Sequence, residues 1–200
     1  MTTGEVGPAE RAGGAERALV AKPTREDLAA AYGRSIPDVI AKDLDVLFVG
    51  INPGLYSGAT GHHFARPGNR FWRALAGAGF TDGAMSPSRD AELARHGLGI
   101  TNLVARATAR ADELDDQELR AGAVTLRAKV ARFAPRFVAV VGVGAYRVAF
   151  DRRRAGFGPQ TESIGTSALW VLPNTSGLNA HHQVPDLIAA FADLRIAAAR

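Results

Sequence analysis

The sequence contains no cysteine, and no stretch of it approaches the roughly eighteen consecutive apolar residues that a membrane-spanning helix requires. Without cysteine the chain has neither disulfide bonds nor thiolate metal ligands, and redox chemistry through sulfur is excluded. The N-terminus, MTTGEVGPAERAGGAERALVAK, also lacks the basic region followed by an apolar block that marks a signal peptide. We therefore expect a cytoplasmic protein (nucleoid-associated in a bacterium) without membrane association.

The composition is that of one folded domain with a basic surface. The chain has 200 residues, of which 46% are hydrophobic, enough to bury one good core. Its net charge is +4, and arginine supplies most of the basic charge, which suits bidentate contacts to phosphate. The charge favours a polyanionic partner by long-range attraction, but on charge alone nucleic acid stays only one of the possibilities.

The first residues differ in composition from the rest of the chain. Residues 1–23 are rich in Ala, Gly and Glu without a sustained period, which predicts a disordered tail. Residues 24–200 are predicted to form a single catalytic domain, since strand and helix patterns follow one another from Thr24 onward.

Short apolar runs predict buried strands at DLDVLFVG, LGITNLV, FVAVVG and ALWVLP. Helical patterns are predicted at PTREDLAAAY, at NRFWRALAGAGF with Asn69 as cap, at SRDAELARHG, from Asp115 to Phe133, at GAYRVAFDRRR, and from about Val184. Such alternation predicts the α/β class: a three-layer α/β/α sandwich around a central, largely parallel sheet of four or five strands.

Two motifs suggest ligand sites that the sequence does not otherwise support. The stretch VVGVGAYRVAF resembles a dinucleotide fingerprint, but Val148 stands where the third glycine belongs, so tight strand-to-helix packing is favoured. The adjacent pairs His62 with His63 and His181 with His182 lack the spacing of a zinc site, and we predict surface or nucleic-acid contacts for them. We expect no metal and no cofactor.

Two long polar loops, 50–70 and 173–183, each follow a predicted buried strand. In parallel sheets ligands bind beyond the carboxyl ends of the strands, so both loops are candidate parts of one site. Neither Ser57 nor Ser176 lies in a G-x-S-x-G turn, which disfavours hydrolysis through a serine.

Four stretches in these regions carry a family resemblance: GINPG at 50–54, PGNRFW at 67–72, GITNLV at 99–104 and LPNTSGL at 172–178. In order and spacing the chain resembles the mismatch-specific uracil/thymine DNA glycosylases of the uracil-DNA glycosylase superfamily, from about Leu44 to the C-terminal helix. The resemblance implies a monofunctional hydrolase that flips a mispaired uracil out of double-stranded DNA, excises it and leaves an abasic site.

By this resemblance Asn52 is the catalytic residue, with an amide oxygen that orients water toward the anomeric carbon. An amide cannot take up a proton, so positioning replaces general-base catalysis and a slow enzyme is expected. The Ile51 and Phe64 amides are expected to stabilise the departing base anion. The Phe64 ring is expected to stack on the base, although packing under the loop is its alternative role. The expected base pocket comprises Gly50, Ile51, Gly54, Phe64 and Asn102, with Asn102 at the base edge and Tyr56, Ser57 and Ala59 shaping the walls.

A slow amide mechanism raises the hypothesis that a carboxylate assists the water. Asp82, Asp90 and Glu92 precede the strand LGITNLV, which is predicted to end near the pocket. An exposed helix face is the alternative explanation of these charges.

The resemblance also implies that the second loop enters the DNA. Leu178 would fill the space left by the flipped nucleotide, and main-chain atoms of Gly177 and Asn179 would meet the opposing guanine. Ala180 stands where an arginine is often found in the family, which predicts weaker duplex binding unless His181 or Arg66 compensates.

Three functions follow in order of preference. The first is a monomeric glycosylase acting on G:U or related mismatches, with thymine or modified pyrimidines as further candidate substrates. The second is a damage-binding module that senses flipped bases with little cleavage, and the third is a phosphate- or nucleotide-binding enzyme that uses GVGAY.

Overall fold

A computed structural model describes residues 22–199 of the chain. The predicted tail therefore lies, up to residue 21, outside the described residues. Within the described part, no helix combines the length and the apolar character needed to cross a bilayer.

The elements follow one another as strand and helix, as predicted. The helices are α1 (Arg25–Ala30), α2 (Leu55–Thr60), α3 (Phe71–Gly77), α4 (Asp116–Phe133), α5 (Val143–Ala149) and α6 (Val184–Ala198), and a kinked 3-10 segment covers Pro87–His96. The strands are β1 (Val46–Gly50), β2 (Leu98–Asn102), β3 (Phe137–Val141), β4 (Gly158–Ile164) and β5 (Ser167–Leu172).

The five strands form one sheet in the order β2-β1-β3-β5-β4. All neighbouring pairs are parallel except β4 with β5, which is antiparallel. The predicted three-layer architecture with a largely parallel sheet is therefore confirmed. Strand β4 was not predicted, because its sequence GPQTESI is polar and lies at the sheet edge, where alternate residues stay in solvent.

The helices cover both faces of the sheet. In β1, Leu47 and Val49 pack on the side of α4 and α5, whereas Val46 and Phe48 pack on the side of α3 and α6. Successive residues of a strand point to opposite faces, so a strand covered on both sides must be apolar throughout. This explains why a continuous apolar run, rather than an alternating one, marks β1.

The strand order places a crevice beside β1. From β1 the chain passes to β2 on one side and then returns to β3 on the other, so loops leave the carboxyl edge in opposite directions there. Register also pairs Gly50 with Asn102, which brings the last residues of β1 and β2 side by side. Both polar loops open at this edge.

Helix boundaries depart from the predictions at several points. The prediction for α4 is confirmed, with Asp115 as a side-chain N-cap. The N-cap of α3 is Arg70 rather than the predicted Asn69, although Asn69 Oδ1 accepts a hydrogen bond from the Phe71 amide at 3.0 Å. Helix α5 ends at Ala149, before the three arginines. The first polar loop contains α2, a short helix that its Gly-rich sequence did not indicate.

Candidate active site

A cavity of about 370 Å³ opens at the carboxyl edge of the sheet, between the two polar loops. Four of the five residues expected in the base pocket line it, and so do Asn52 and Leu178. The four are Ile51, Gly54, Phe64 and Asn102. Gly50 lies directly beneath, with Asn102 Oδ1 and the Phe64 ring over its backbone. The tertiary structure thus brings the first loop, the end of β2 and the second loop to one place.

Two hydrogen bonds fix the orientation of the Asn52 amide. Its Nδ2 donates to the Arg106 carbonyl at 3.0 Å and to Thr108 Oγ1 at 2.7 Å. The Thr108 hydroxyl donates in turn to the Arg110 carbonyl, so it can only accept from Asn52. Both acceptors require the amide nitrogen, and Oδ1 is left as a free acceptor among the described residues. The cavity therefore contains one oriented amide oxygen that can bind water.

Two main-chain donors at the cavity also lack partners. The Ile51 amide follows the last paired residue of β1, and the Phe64 amide lies between His63 and Ala65, whose amides are bonded to Asp90 and Ser57. Within residues 22–199, neither the Ile51 nor the Phe64 amide donates to a protein acceptor. Free amides at the end of a strand can stabilise a negative charge in a ligand.

The Phe64 ring forms one wall of the cavity. Phe64 has a left-handed backbone with φ of 51°, and its ring stacks on Phe71 with centroids 4.0 Å apart and an angle of 11° between planes. Phe71 is fully buried, so it supports the ring from the protein side. Phe64 is thus packed under the loop on one face and borders the cavity, which is compatible with both roles considered for it.

Asn102 is oriented by a buried histidine. His63 Nε2 donates to the Pro37 carbonyl at 2.9 Å, which leaves Nδ1 as an acceptor at 3.5 Å from Asn102 Nδ2. Only 1% of His63 is exposed, so the predicted surface role is wrong for this residue. The adjacent His62 instead pairs with Asp90 at 3.2 Å.

Acid should destabilise the protein through His63, because burial lowers the pKa of its imidazole. The unfolded chain takes up this proton near pH ~6.5, while the folded chain resists it, so the unfolded state binds more protons as the pH falls. The free energy of unfolding, measured by denaturant titration, should decrease between about pH 7.5 and about pH 5.5, and His63→Gln should show a smaller decrease. The exposed His96→Gln is the control, and an unchanged decrease in His63→Gln would contradict the prediction.

Gly50 provides space that a side chain would remove. A Cβ at this position would lie 2.5 Å from Asn102 Oδ1 and 3.3 Å from the Phe64 ring. The variant Gly50→Ala should displace Asn102 and lower single-turnover excision of uracil, the activity that the sequence resemblance implies, about 10- to 100-fold. Gly83→Ala is a matched control, since its Cβ would meet no atom within 4 Å. Wild-type activity in Gly50→Ala would show that this close approach is unimportant. Gly54 also borders the cavity, but a Cβ there would meet open space.

None of the three candidate carboxylates lines this cavity. Asp90 is buried, and its two oxygens bind the His62 ring and, at 2.9 Å, the His63 amide, so it holds the loop that ends in Phe64. Glu92 pairs with Arg89 on the 3-10 segment. Asp82 is exposed and does not line the cavity. The carboxylate that does line it is Asp112, which sequence analysis missed and which pairs with Arg110.

The tip of the second loop is exposed at the cavity mouth. Leu178 is 70% exposed, and the backbone of Gly177 packs against Gly68 of the first loop, where a Cβ would lie 2.7 Å from the Gly68 carbonyl. The Asn179 amide donates to the Ser176 carbonyl at 2.9 Å, and its own carbonyl accepts from Arg70. The main-chain amide of Asn179 is therefore bonded within the second loop, and its carbonyl is bonded to Arg70 of the first loop. Ala180 and His181 are exposed beside it.

Other predicted positions divide between the cavity and its surroundings. Ser57 and Arg66 line the cavity, whereas Tyr56 and Ala59 are not among the lining residues. Sequence analysis missed Thr108, because its role comes only from its contact with Asn52 across 56 positions of sequence.

The histidines and the glycine motif show no ligand geometry. Within the described part of the chain, no group of His, Cys, Asp or Glu side chains is arranged to hold a metal ion. In GVGAY, a Cβ on Gly142 would lie 3.2 Å from the Ile51 side chain, and the motif opens the seven-residue α5. Close packing against Ile51 therefore explains the glycine at position 142 without a bound nucleotide.

Fold and site together define an α/β sandwich with a cavity, lined in part by polar side chains and walled on one side by an aromatic ring, at the carboxyl edge of its sheet. A family model of the uracil DNA glycosylase superfamily matches residues 37–195, and the chain belongs to that superfamily. Among solved structures, the chain is similar to the solution NMR structure of a candidate uracil DNA glycosylase from Methanosarcina acetivorans. The two share 20% identity over 82% of this chain and 98% of that chain, with a TM-score of 0.54. This likeness supports the same fold.

Membership of the superfamily implies a DNA glycosylase, a hydrolase that removes uracil from DNA. The superfamily expected from the sequence motifs is therefore confirmed, as is DNA as the substrate. The mismatch-specific subfamily is a finer assignment that the family match does not make.

Proposed function

We propose that this protein is a monofunctional glycosylase that excises uracil mispaired with guanine by flipping the nucleotide and directing water at the anomeric carbon. The observation that carries the proposal is the Asn52 amide, with both N–H groups bonded to protein and its oxygen free at the cavity. Thymine and modified pyrimidines are further candidate substrates.

The cavity offers one contact to each part of a flipped pyrimidine. The Phe64 ring, supported by Phe71, stacks on the base. Asn102 offers one oxygen acceptor and an amide nitrogen donor to the base edge, a pair that matches the N–H and carbonyl of uracil. Flipping costs a few kcal/mol of lost stacking and pairing, which these contacts offset.

The reaction breaks the bond between the anomeric carbon and the base nitrogen, and its electron pair leaves with the base. Free amides of Ile51 and Phe64 stabilise the resulting base anion. Asn52 Oδ1 accepts a hydrogen bond from the attacking water, which aligns the water oxygen with the anomeric carbon. The water oxygen bonds to that carbon, its proton passes to solvent, and an abasic site remains. No lysine is found among the described residues that line the cavity, which supports hydrolysis without a covalent Schiff base.

Leu178 is proposed to enter the duplex and occupy the space of the flipped nucleotide. Its side chain is apolar, 70% exposed and located at the cavity mouth, so it is available to insert between base pairs. The Gly177 main chain, exposed beside it, is proposed to meet the opposing guanine together with the Asn179 carbonyl, which can accept a second hydrogen bond besides that from Arg70. We also propose that the enzyme acts as a monomer, because both polar loops and the end of β2 meet at the cavity within one chain. A cytoplasmic location is proposed from the sequence expectation.

The proposal is tested by incubating the protein with a labelled G:U duplex and heating it in alkali, which breaks the strand at abasic sites. Breakage supports the glycosylase, and faster excision from G:U than from A:U duplexes supports the mismatch preference. Binding without breakage would instead indicate the damage-binding module. An absence of both would leave the nucleotide-binding alternative, which equilibrium dialysis against a dinucleotide would then examine.

A further inference from the structure

One side chain of the first loop holds the second loop in place. Arg70 precedes α3, and its half-buried guanidinium donates only to main-chain carbonyls. Nε donates to Thr175 at 3.4 Å, Nη1 to His182 at 2.5 Å, and Nη2 to Asn179 at 2.9 Å and to Ser176. The Arg70 amide adds a fifth bond, to the Thr175 carbonyl at 3.0 Å.

These carbonyls lie on both sides of the loop tip. Thr175 and Ser176 precede Leu178, and Asn179 and His182 follow it. Four carbonyl oxygens that converge on one point repel one another unless a cation lies between them. The planar guanidinium offers five donors in a fixed fork, whereas a lysine ammonium offers three donors on a flexible stem. Arginine is therefore the residue that can bind all four carbonyls at once.

The same residue connects the tip to the base cavity. Phe71, the next residue, is buried and stacks on Phe64, so the backbone at Arg70 is anchored from the base side. We propose that Arg70 is a positioning residue that presets Leu178 for insertion into the duplex while the base enters the cavity. This inference rests on the proposed excision of uracil from duplex DNA. Ordering the loop before binding removes an entropy cost that a loose loop would incur during the reaction.

Arg70→Met should lower single-turnover excision from a G:U duplex about 10- to 100-fold and leave excision from single-stranded uracil DNA within about threefold. Single-stranded DNA has no stack to fill, so it does not need a preset tip. Arg70→Lys should give an intermediate loss on the duplex, because fewer carbonyls are bound. The control is Arg73→Met, which removes an exposed arginine from α3, the helix that Arg70 precedes, and should leave both rates unchanged. Equal losses on both substrates, or wild-type rates in Arg70→Met, would overturn the proposal.

A double-mutant cycle tests whether Arg70 acts through Leu178. If each single change costs about tenfold on the duplex, Arg70→Met combined with Leu178→Ala should also cost about tenfold, because the two residues share one step. Independent roles would give about a hundredfold and would overturn the inference.

Hydrogen exchange provides a readout that does not require activity. Amides within residues 174–183 should exchange faster in Arg70→Met than in the wild type, while those of the five strands stay protected. Unchanged exchange in this loop would overturn the positioning role. If the wild type excised uracil from neither substrate, the proposed function would fail, and the exchange measurement would still decide whether Arg70 orders the loop.

Discussion

Replacement of Asn52 by alanine is expected to reduce uracil excision by about 10³-fold and to leave binding to a G:U duplex within about threefold. The loss should be large because two protein hydrogen bonds set the orientation of the Asn52 oxygen. None of the three candidate carboxylates lines the cavity, and Asp112, which does, is paired with Arg110. Binding should survive because the proposed stacking of the base on Phe64 and the proposed insertion of Leu178 do not involve Asn52. Single-turnover rates and fluorescence anisotropy measure the two effects.

Thr108→Val gives a graded control for this prediction. Valine keeps the shape of threonine but removes the hydroxyl that accepts from Asn52 Nδ2, so the amide loses one of its two restraints. We expect kcat to fall about tenfold with little change in KM, because the interaction affects the position of water rather than the binding of the base. Full activity in the Asn52→Ala variant would show that Asn52 has no part in the mechanism.

Shortening Leu178 to alanine is expected to lower excision from a G:U duplex about 10- to 100-fold and to change excision from single-stranded uracil DNA by less than about threefold. The apolar side chain replaces stacking only where a neighbouring strand and base pairs exist, so the effect should be confined to the duplex. A duplex with 2-aminopurine beside the uracil should also show less fluorescence increase on binding, since the flipped state is less populated.

The matched control is Val124→Ala, which shortens another apolar side chain, 69% exposed on α4. This change should leave excision from both substrates unchanged, because α4 covers one face of the sheet and Val124 does not line the cavity. Equal losses on duplex and single-stranded DNA in Leu178→Ala would contradict the role in the duplex. Comparing the two variants shows whether the loss of excision depends on the position of Leu178 or only on removing an exposed apolar side chain.

Local patterns predicted the elements that a doubly covered parallel sheet requires. Strand β1 was predicted because residues packed on both faces must all be apolar, and α4 because Asp115 begins a long amphipathic segment. Strand β4 and helix α2 were missed, since a polar edge strand and a six-residue helix in a Gly-rich loop have no strong local pattern. Strand β4 pairs with β5, the next strand along the chain, and the start of α2 is anchored by the hydrogen bond from the Leu55 amide to the Thr108 carbonyl.

The candidate site was likewise predicted only in part from the sequence. The motif around Asn52 and the loop around Leu178 were identified from residue types and their order, and both border one cavity. The proximity of 81–92 to β2 in sequence suggested an assisting carboxylate, but folding places Asp90 beneath the histidine pair. His63 was expected at the surface and is buried, because its ring donates to Pro37, which lies 26 positions earlier.

By itself, the sequence determined the α/β class, the superfamily and the two loops that form the site, since these depend on apolar runs and motifs that are continuous along the chain. Tertiary structure alone decided which amide atom of Asn52 is free, which carboxylates reach the cavity and how Arg70 connects the loops. Those properties depend on hydrogen bonds between residues that lie 54 positions apart for Asn52 and Arg106 and 112 apart for Arg70 and His182. The physical reason is that a side chain acquires its orientation from partners that only folding brings within about 3 Å.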